Sequence, residues 1–210
     1  EDAIESFGSE SKGLKSGNLG SDFTIFSFKS VRYPNTIDGA AISVNSEKNY
    51  NEMILRRDYG VNRELYRDKY GEINSNCDVS LIGYGGVLNE LNSYLGIVSL
   101  EDYENILESQ RRNASIWRSK LHLMGVNFKE LDYGKSCPNF WTLPLLIDNS
   151  NEVLRMFRSK GFYVSKPHIK CDQYSVFKKN SEVLPGAESF ISRILSFPTG
   201  WWINSLEHEF

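Results

Sequence analysis

Three cysteines are spread through the 210 residues, and Cys77, Cys137 and Cys171 stand far apart without any C-x-x-C spacing. This pattern excludes a disulfide framework and predicts no metal site, so a reducing, cytoplasmic compartment is expected. The chain also lacks an apolar run approaching the ~18 residues of a membrane span, so no membrane contact is predicted. It begins EDAIES, which is charged and has no apolar stretch, so no signal peptide is expected.

A surplus of positive charge is lacking as well. The net charge is -3, the isoelectric point lies near 5.7 and no basic stripe stands out. Binding to nucleic acid is therefore not expected. The hydrophobic share of 40% is ordinary for a globular protein, and the length fits one good core or two small ones. Because the chain has no initiator Met, we expect a fragment or one half of a larger protein.

Strand and helix signals alternate in the first part of the chain. Residues 23–28 and 39–44 are short apolar runs rich in β-formers, and they predict two strands joined by a turn-rich loop. Apolar spacing predicts a helix over 47–59, ended by Gly60, and a long helix over 100–124. This alternation indicates an α/β architecture.

The last part of the chain predicts a small α+β unit. FWTLPLLI (140–147) and FYVS (162–165) predict strands, with a helix over 151–161 between them. A further helix around 188–194 precedes the apolar segment ILSFPTGWW.

Several segments follow one another in a recognisable order. In the first 60 residues these are EDAIESFGS (1–9), KGLKSGNLGSDFTIFSF (12–28), TIDGAAI (36–42) and RRDYG (56–60). The later ones are GYGGVLNELNSYLGI (83–97), RRNASIWRSKL (111–121), PHIKCDQYSVF (167–177) and LPGAESFISRILSFPTGWW (184–202). In this order and spacing they resemble the DegT/DnrJ-type nucleotide-sugar aminotransferases, a family of pyridoxal phosphate (PLP) fold type I.

The resemblance implies a fold and a division of the chain. The chain would form part of an aspartate-aminotransferase-like large domain with a mixed, mostly parallel sheet, plus a small α+β C-terminal domain. Residues 1–75 would be the C-terminal half of the PLP-binding domain, 76–125 an interface segment with connecting helices, and 126–210 the small domain. The half that precedes the E-D-A-A motif in the family is not in this sequence, so a homodimer or a partner chain supplying it is expected.

The resemblance also implies roles for individual residues. Asp2 takes the position of the carboxylate that pairs with the pyridine nitrogen of PLP, and Ser27 that of a hydroxyl on the cofactor phosphate. Glu5 stands where the family has His or Gln against the cofactor ring. Gly85 stands where the family has an Asn that reaches the neighbouring subunit's phosphate. His168 lies where a family His lines the sugar-binding side, and an ordinary loop histidine is the alternative.

The position of the cofactor lysine holds Arg32. The family's lysine amine must lose a proton, form an imine with PLP and later shuttle a proton. A guanidinium stays protonated at physiological pH, so it offers no neutral nucleophile. Lys29 is three residues earlier and is expected to point to the opposite face of the strand. Arg32 would instead be available to clamp the cofactor phosphate.

Three functions remain open on this reasoning. The family implies amino transfer from glutamate to a nucleotide-linked keto-sugar in polysaccharide or deoxyamino-sugar biosynthesis. Arg32 favours a catalytically silent relative that binds a nucleotide sugar or dimerises with an active paralogue. A PLP-type sugar dehydratase ranks third: such family members replace the lysine with His, and TIDG resembles their T-I-E-G, but Arg is a poor general base.

Overall fold

The computed structural model describes residues 1–177 and 182–203 and divides the chain into two compact units. The first comprises Glu1–Phe7 and Gly13–Tyr103, and the second comprises Gly8–Lys12 and Glu104–Phe210. The strands are short: β1 (Glu10–Ser11), β2 (Leu14–Lys15), β3 (Phe23–Ser27), β4 (Ala40–Val44), β5 (Lys129–Glu130), β6 (Ser136–Cys137), β7 (Thr142–Leu146) and β8 (Ile194–Pro198). The α-helices are α1 (Glu47–Arg57), α2 (Arg63–Tyr66), α3 (Glu90–Glu101), α4 (Tyr103–Leu123), α5 (Ser150–Ser159) and α6 (Pro185–Arg193), and Cys171–Gln173 form one 3-10 turn.

In the first unit, β3 and β4 pair in antiparallel register. Ser27 lies opposite Ala40, and the ladder runs back to Phe23 opposite Val44. Along β3, Thr24 and Phe26 are buried while Phe23 and Ile25 are exposed, as the two-residue period of a strand requires. The strands predicted at 23–28 and 39–44 are confirmed.

Local hydrogen bonds cap both ends of the helix α1. The Ser46 hydroxyl accepts a hydrogen bond from the Asn49 N–H at 3.2 Å, which caps the first turn. At the other end Gly60 has φ +78° and donates its N–H to the Leu55 carbonyl at 2.8 Å. The helix predicted over 47–59 is confirmed, with its last helical residue at Arg57.

The second unit is built around one apolar core. β7 pairs with both β5 and β8, and α4 and α5 pack their apolar faces against this sheet. Trp117 is fully buried, and its ring lies 5.0–5.3 Å from the rings of Phe157, Phe162 and Phe197. The indole N–H donates to the Pro198 carbonyl at 2.7 Å, so the one polar atom of this side chain is satisfied.

Several predicted elements of the second half are confirmed with shifted bounds. The predicted strand over 140–147 and helix over 151–161 are β7 and α5. The helix predicted over 100–124 starts instead at Tyr103, because α3 ends at Glu101 and Asp102 separates the two helices. FYVS is not a strand: it contributes a single bridge, between Ser165 and Ser196.

The mostly parallel sheet expected from the family is not formed by the described residues. The pairs β1–β6, β3–β4, β5–β7 and β7–β8 are antiparallel, and Asp2 and Ile25 form a parallel bridge. Parallel neighbours need a crossover connection of a dozen or more residues. In this chain the residues between Asp2 and Ile25 supply one such crossover, while β3 and β4 are joined by a direct reversal.

None of the helices in residues 1–177 and 182–203 combines the length and apolar character that crossing a membrane requires. Cys77, Cys137 and Cys171 are all free thiols.

Candidate functional site

Arg32 and Glu5 form an ion pair in the first unit. The Arg32 Nη2 group donates to the Glu5 Oε1 atom at 2.8 Å, and the side chains are 15% and 32% exposed. Both residues depart from the family pattern, Arg32 at the lysine position and Glu5 at the His or Gln position. The two departures therefore contact each other.

The loop after β3 holds Arg32 in place through backbone hydrogen bonds. The Phe28 N–H donates to the Gly39 carbonyl at 2.9 Å, and the Thr36 N–H donates to the Phe28 carbonyl at 2.9 Å. Within the loop, the Arg32 N–H donates to the Lys29 carbonyl at 2.8 Å. These hydrogen bonds close the loop and fix the backbone position of Arg32.

The segment that carries Glu5 is fastened to β3. The Ala3 N–H donates to the Ile25 carbonyl at 2.9 Å, and the Ile25 N–H donates to the Glu1 carbonyl at 3.0 Å. Asp2 lies between these bonds, is exposed, and accepts the Ile4 N–H on its Oδ1 atom at 3.1 Å. This bond occupies one oxygen of Asp2 in a local turn.

Four of the predicted cofactor-site residues gather around the carboxyl end of β3. Asp2 is bridged to Ile25, and Ser27 is the half-buried last residue of the strand. Arg32 follows in the loop and meets Glu5 there. The arrangement supplies one hydroxyl, two carboxylates and one guanidinium.

Lys29 offers a primary amine in the same loop. Its Nζ atom is 4.0 Å from the Asp38 Oδ1 atom, and both side chains are largely exposed. The structure therefore places this amine beside Asp38, while Glu5 is beside Arg32.

Gly85 lies elsewhere in the first unit, at the end of α1. It forms an antiparallel bridge with Asp58, and the neighbouring Gly86 N–H donates to the Arg57 carbonyl at 2.8 Å. A Cβ atom on Gly85 would lie 2.2 Å from the Tyr59 hydroxyl. The Tyr59 phenol thus fills the space that a side chain at position 85 would take.

An open groove of about 780 Å³ lies between β4, α1 and the segment around Gly85. Its walls are mainly apolar, and the polar side chains include Asp38, Arg57, Asn89 and Asn92. Gly85 and the Asp38-Gly39-Ala40 triplet line the same groove. Sequence reasoning missed this feature, since the apolar residues of α1 indicate a buried face but not that the face stays open.

His168 belongs to the second unit and is exposed in the loop that follows Ser165. The loop is tied to α6 at both ends. The Lys166 amine donates to the Ser192 carbonyl at 3.1 Å, and the Lys170 amine pairs with Glu188. The Glu188 carboxylate raises the pKa of Lys170 through this hydrogen bond. His168 is therefore presented on a fastened loop, and its role in substrate binding stays a prediction.

The residues around Arg32 do not fit PLP held through a protein amine. Ser27 has the chemistry for a phosphate contact and Asp2 for a ring nitrogen. The group at the position of the attachment residue, however, is a guanidinium already engaged with Glu5. A covalent link at position 32 is incompatible with these residues.

Comparison with known proteins places this architecture among the sugar aminotransferases. A profile described as the DegT/DnrJ/EryC1/StrS aminotransferase family matches residues 1–207, so the chain belongs to that family. The sugar aminotransferase CalS13 from Micromonospora echinospora superposes with a TM-score of 0.86 at 24% identity, covering 97% of this chain and 54% of that one. AtS13 from Actinomadura melliaura superposes with a TM-score of 0.87 at 24% identity, covering 99% and 55%.

Two relatives are named transaminases of nucleotide-linked sugars. The UDP-4-amino-4,6-dideoxy-N-acetyl-beta-L-altrosamine transaminase of Campylobacter jejuni (serotype O:23/36, strain 81-176) is 26% identical over 218 residues, covering 100% of this chain and 55% of that protein. The dTDP-4-amino-4,6-dideoxy-D-glucose transaminase of Shigella dysenteriae is 24% identical over 158 residues, covering 73% and 38%. The chain thus spans about half the length of the relatives it matches.

Proposed function

We propose that the protein containing this chain is a nucleotide-sugar-binding member of the family that does not carry out amino transfer through position 32. The observation that carries the proposal is the 2.8 Å contact between Arg32 and Glu5. A side chain that stays protonated cannot act as a nucleophile, and an engaged guanidinium is a poor acceptor for a substrate proton. Amino transfer by this chain is the alternative, favoured by the activities of its relatives.

A nucleotide sugar is the ligand class we propose for the binding site, and a nucleotide-linked keto-sugar would be the acceptor in the alternative, amino transfer. The two transaminases named above are described as acting on UDP- and dTDP-linked aminodideoxy sugars. His168 would contribute to the sugar side from its fastened loop in the second unit. A binding screen would identify the sugar and the nucleotide.

We also propose that further protein covers the first unit. Of its residues, all of which are described, Ala3 and Phe26 are the hydrophobic ones that are buried. Large side chains such as Ile42, Leu91 and Ile97 are about half exposed or more. A second copy, or a chain corresponding to the remaining half of the relatives, would remove this apolar surface from water.

Calorimetric titration of the protein with UDP-N-acetylglucosamine and dTDP-glucose tests binding, and an assay of amino transfer from glutamate to a nucleotide-linked keto-sugar, with PLP added, tests turnover. We expect saturable binding of at least one nucleotide sugar and no glutamate-dependent product above the blank. Turnover would overturn the silent assignment, and absence of binding to both ligands would overturn the substrate class. His168→Ala should weaken binding about tenfold, the loss of one good polar contact. The matched control is His122→Ala, because His122 is an exposed histidine in α4 whose ring lies 4.8 Å from the Phe128 ring.

A further inference from the structure

We propose that Glu5 is a positioning residue that would hold the amine of a lysine at position 32 in its protonated, unreactive form, so that restoring a reactive lysine there requires replacing Glu5 as well. The inference rests on the proposed loss of amino transfer and goes beyond it, since it assigns the loss to a pair of residues. On the sequence alone, Arg32 is the main departure and Glu5 a separate one. In the structure the two side chains are joined at 2.8 Å.

The other acidic side chains near this loop have partners elsewhere. The Glu1 carboxylate accepts the Thr24 hydroxyl at 3.1 Å, and Thr24 is almost fully buried. Asp2 accepts the Ile4 N–H, and Asp38 lies beside Lys29. Asp102, whose charge acts on the neighbouring Tyr33, is a further acidic group near this loop. Glu5 is the carboxylate that contacts Arg32 at 2.8 Å.

The backbone around Glu5 restricts how far its carboxylate can move away. Ala3 is 1% exposed and bonded to β3, and the Ser6 N–H donates back to the Ala3 carbonyl at 3.1 Å. Glu5 lies inside this turn, two residues from a buried anchor. A change at position 32 would leave the Glu5 backbone in place, so its carboxylate would stay within reach.

An introduced lysine would meet the same carboxylate. A lysine side chain ends about one bond short of the terminal nitrogens of arginine, and the torsions of Glu5 can close that gap. A carboxylate in contact with an ammonium group favours its protonated form. The amine of Arg32→Lys would thus be held as a cation, which is neither a nucleophile nor a base.

Competitive acetylation with isotopically labelled acetic anhydride tests this, because only the neutral amine reacts. Three variants are compared: Arg32→Lys, Arg32→Lys with Glu5→Gln, and Arg32→Lys with Glu52→Gln. The last is the matched control, since Glu52 pairs with Arg56 in α1. Mass spectrometry gives the reactivity at position 32 relative to Lys29 of the same molecule.

At pH 7.5 we expect the Glu5→Gln double variant to react at position 32 about tenfold faster than Arg32→Lys, and its labelling curve to shift about one pH unit lower. The Glu52→Gln control should match Arg32→Lys. Equal reactivity and equal pH curves in all three variants would overturn the proposal. If the double variant unfolds, the ratio to Lys29 approaches that of the urea-denatured chain, and Glu5→His in place of Glu5→Gln supplies the folded comparison. No nucleotide sugar is present, so this result is independent of the binding test.

Discussion

In the second unit, Trp117, Phe157 and Phe197 have no exposed surface and contact one another, whereas in the first unit, described throughout, burial of hydrophobic residues is limited to Ala3 and Phe26. The second unit has the core that a domain of its size needs to fold. The first unit has the strands and helices of a domain without a comparable core. We therefore expect polar contacts, including the Arg32–Glu5 pair, to contribute more to the stability of the first unit than to that of the second.

The helices of the first unit are likewise largely exposed. α1, every residue of which is described, has no buried residue, and in α3, equally well described, burial is limited to Gly96. Both helices nevertheless carry apolar residues, among them Met53, Leu91 and Ile97. Because apolar surface is stabilised by leaving water, we expect these faces to be covered in the complete protein.

The largest expected effect is in the second unit. Trp117→Ala removes the centre of its core and should lower the free energy of unfolding by about 3–5 kcal/mol. Urea unfolding followed by circular dichroism measures this. Trp202→Ala is the matched control, since Trp202 is 66% exposed and should change stability by less than about 0.5 kcal/mol. Similar losses for both variants would contradict the closed core described for the second unit.

Two glycine substitutions test how the end of α1 packs within the first unit. A Cβ on Gly60 would lie 2.1 Å from the Leu81 carbonyl oxygen, whereas Gly71 has open space around it. Both glycines have positive φ, +78° and +82°. Gly71→Ala should therefore cost about 1–2 kcal/mol from backbone strain alone, and Gly60→Ala distinctly more. Thermal unfolding of both variants checks this. Equal costs would mean that the α1 end and the Leu81 segment are not packed as described.

The Arg32–Glu5 pair should show measurable coupling. We expect a double-mutant cycle with Arg32→Met and Glu5→Gln to give about 1–2 kcal/mol, between the values for exposed and buried ion pairs. The same cycle on Arg56 and Glu52, which are 44% and 40% exposed, should give about 0.3–0.5 kcal/mol. If the coupling energy between Arg32 and Glu5 is no larger than that of the exposed pair, this contact does not stabilise the first unit more than an ordinary surface ion pair.

The smallest effect concerns alkaline pH. Burial, helped by the charge of Asp102, raises the pKa of Tyr33 to about 12. In the unfolded chain a tyrosine ionises near pH ~10, so above that pH the unfolded state releases a proton that the folded state keeps. Stability should then fall as the pH rises from 10 to 12.

Tyr33→Phe should show a smaller loss of stability between pH 9 and pH 11 than the unchanged chain. At pH 9 it will already be slightly less stable, because the Tyr33 hydroxyl donates to the Ser99 carbonyl. Chemical unfolding at the two pH values measures the difference, with Tyr70→Phe, at a tyrosine that is 76% exposed, as control. Identical pH dependence in both variants would contradict the burial of Tyr33.

Local chemistry was enough to predict several of the elements from the sequence. The helix α1 followed from its apolar spacing and from Gly60, and the strands β3 and β4 from their β-forming runs. The break between α3 and α4 escaped prediction because the apolar spacing runs on through Asp102. FYVS has strand composition but pairs at one residue alone, since pairing depends on what lies opposite.

The sequence suggests the candidate site residues one by one but not how they contact one another. The motif order pointed to Asp2, Glu5, Ser27 and Arg32 separately. The contact between Glu5 and Arg32 joins residues 27 positions apart, and it depends on the Ala3–Ile25 bonds that no spacing rule encodes. The Tyr59 contact that fills the space at Gly85 is of the same kind. Such long-range contacts can be identified only from a three-dimensional structure.

The central claim is that this chain has no amine able to join PLP at the family's attachment position. The most direct test treats the protein with one equivalent of PLP and then borohydride, and measures the mass of peptides covering residues 26–42, with the denatured chain as the reference for nonspecific labelling. We predict that these peptides stay unmodified above the reference. A pyridoxyl adduct on Lys29, or on any other residue of this segment, in the folded protein alone would contradict the account.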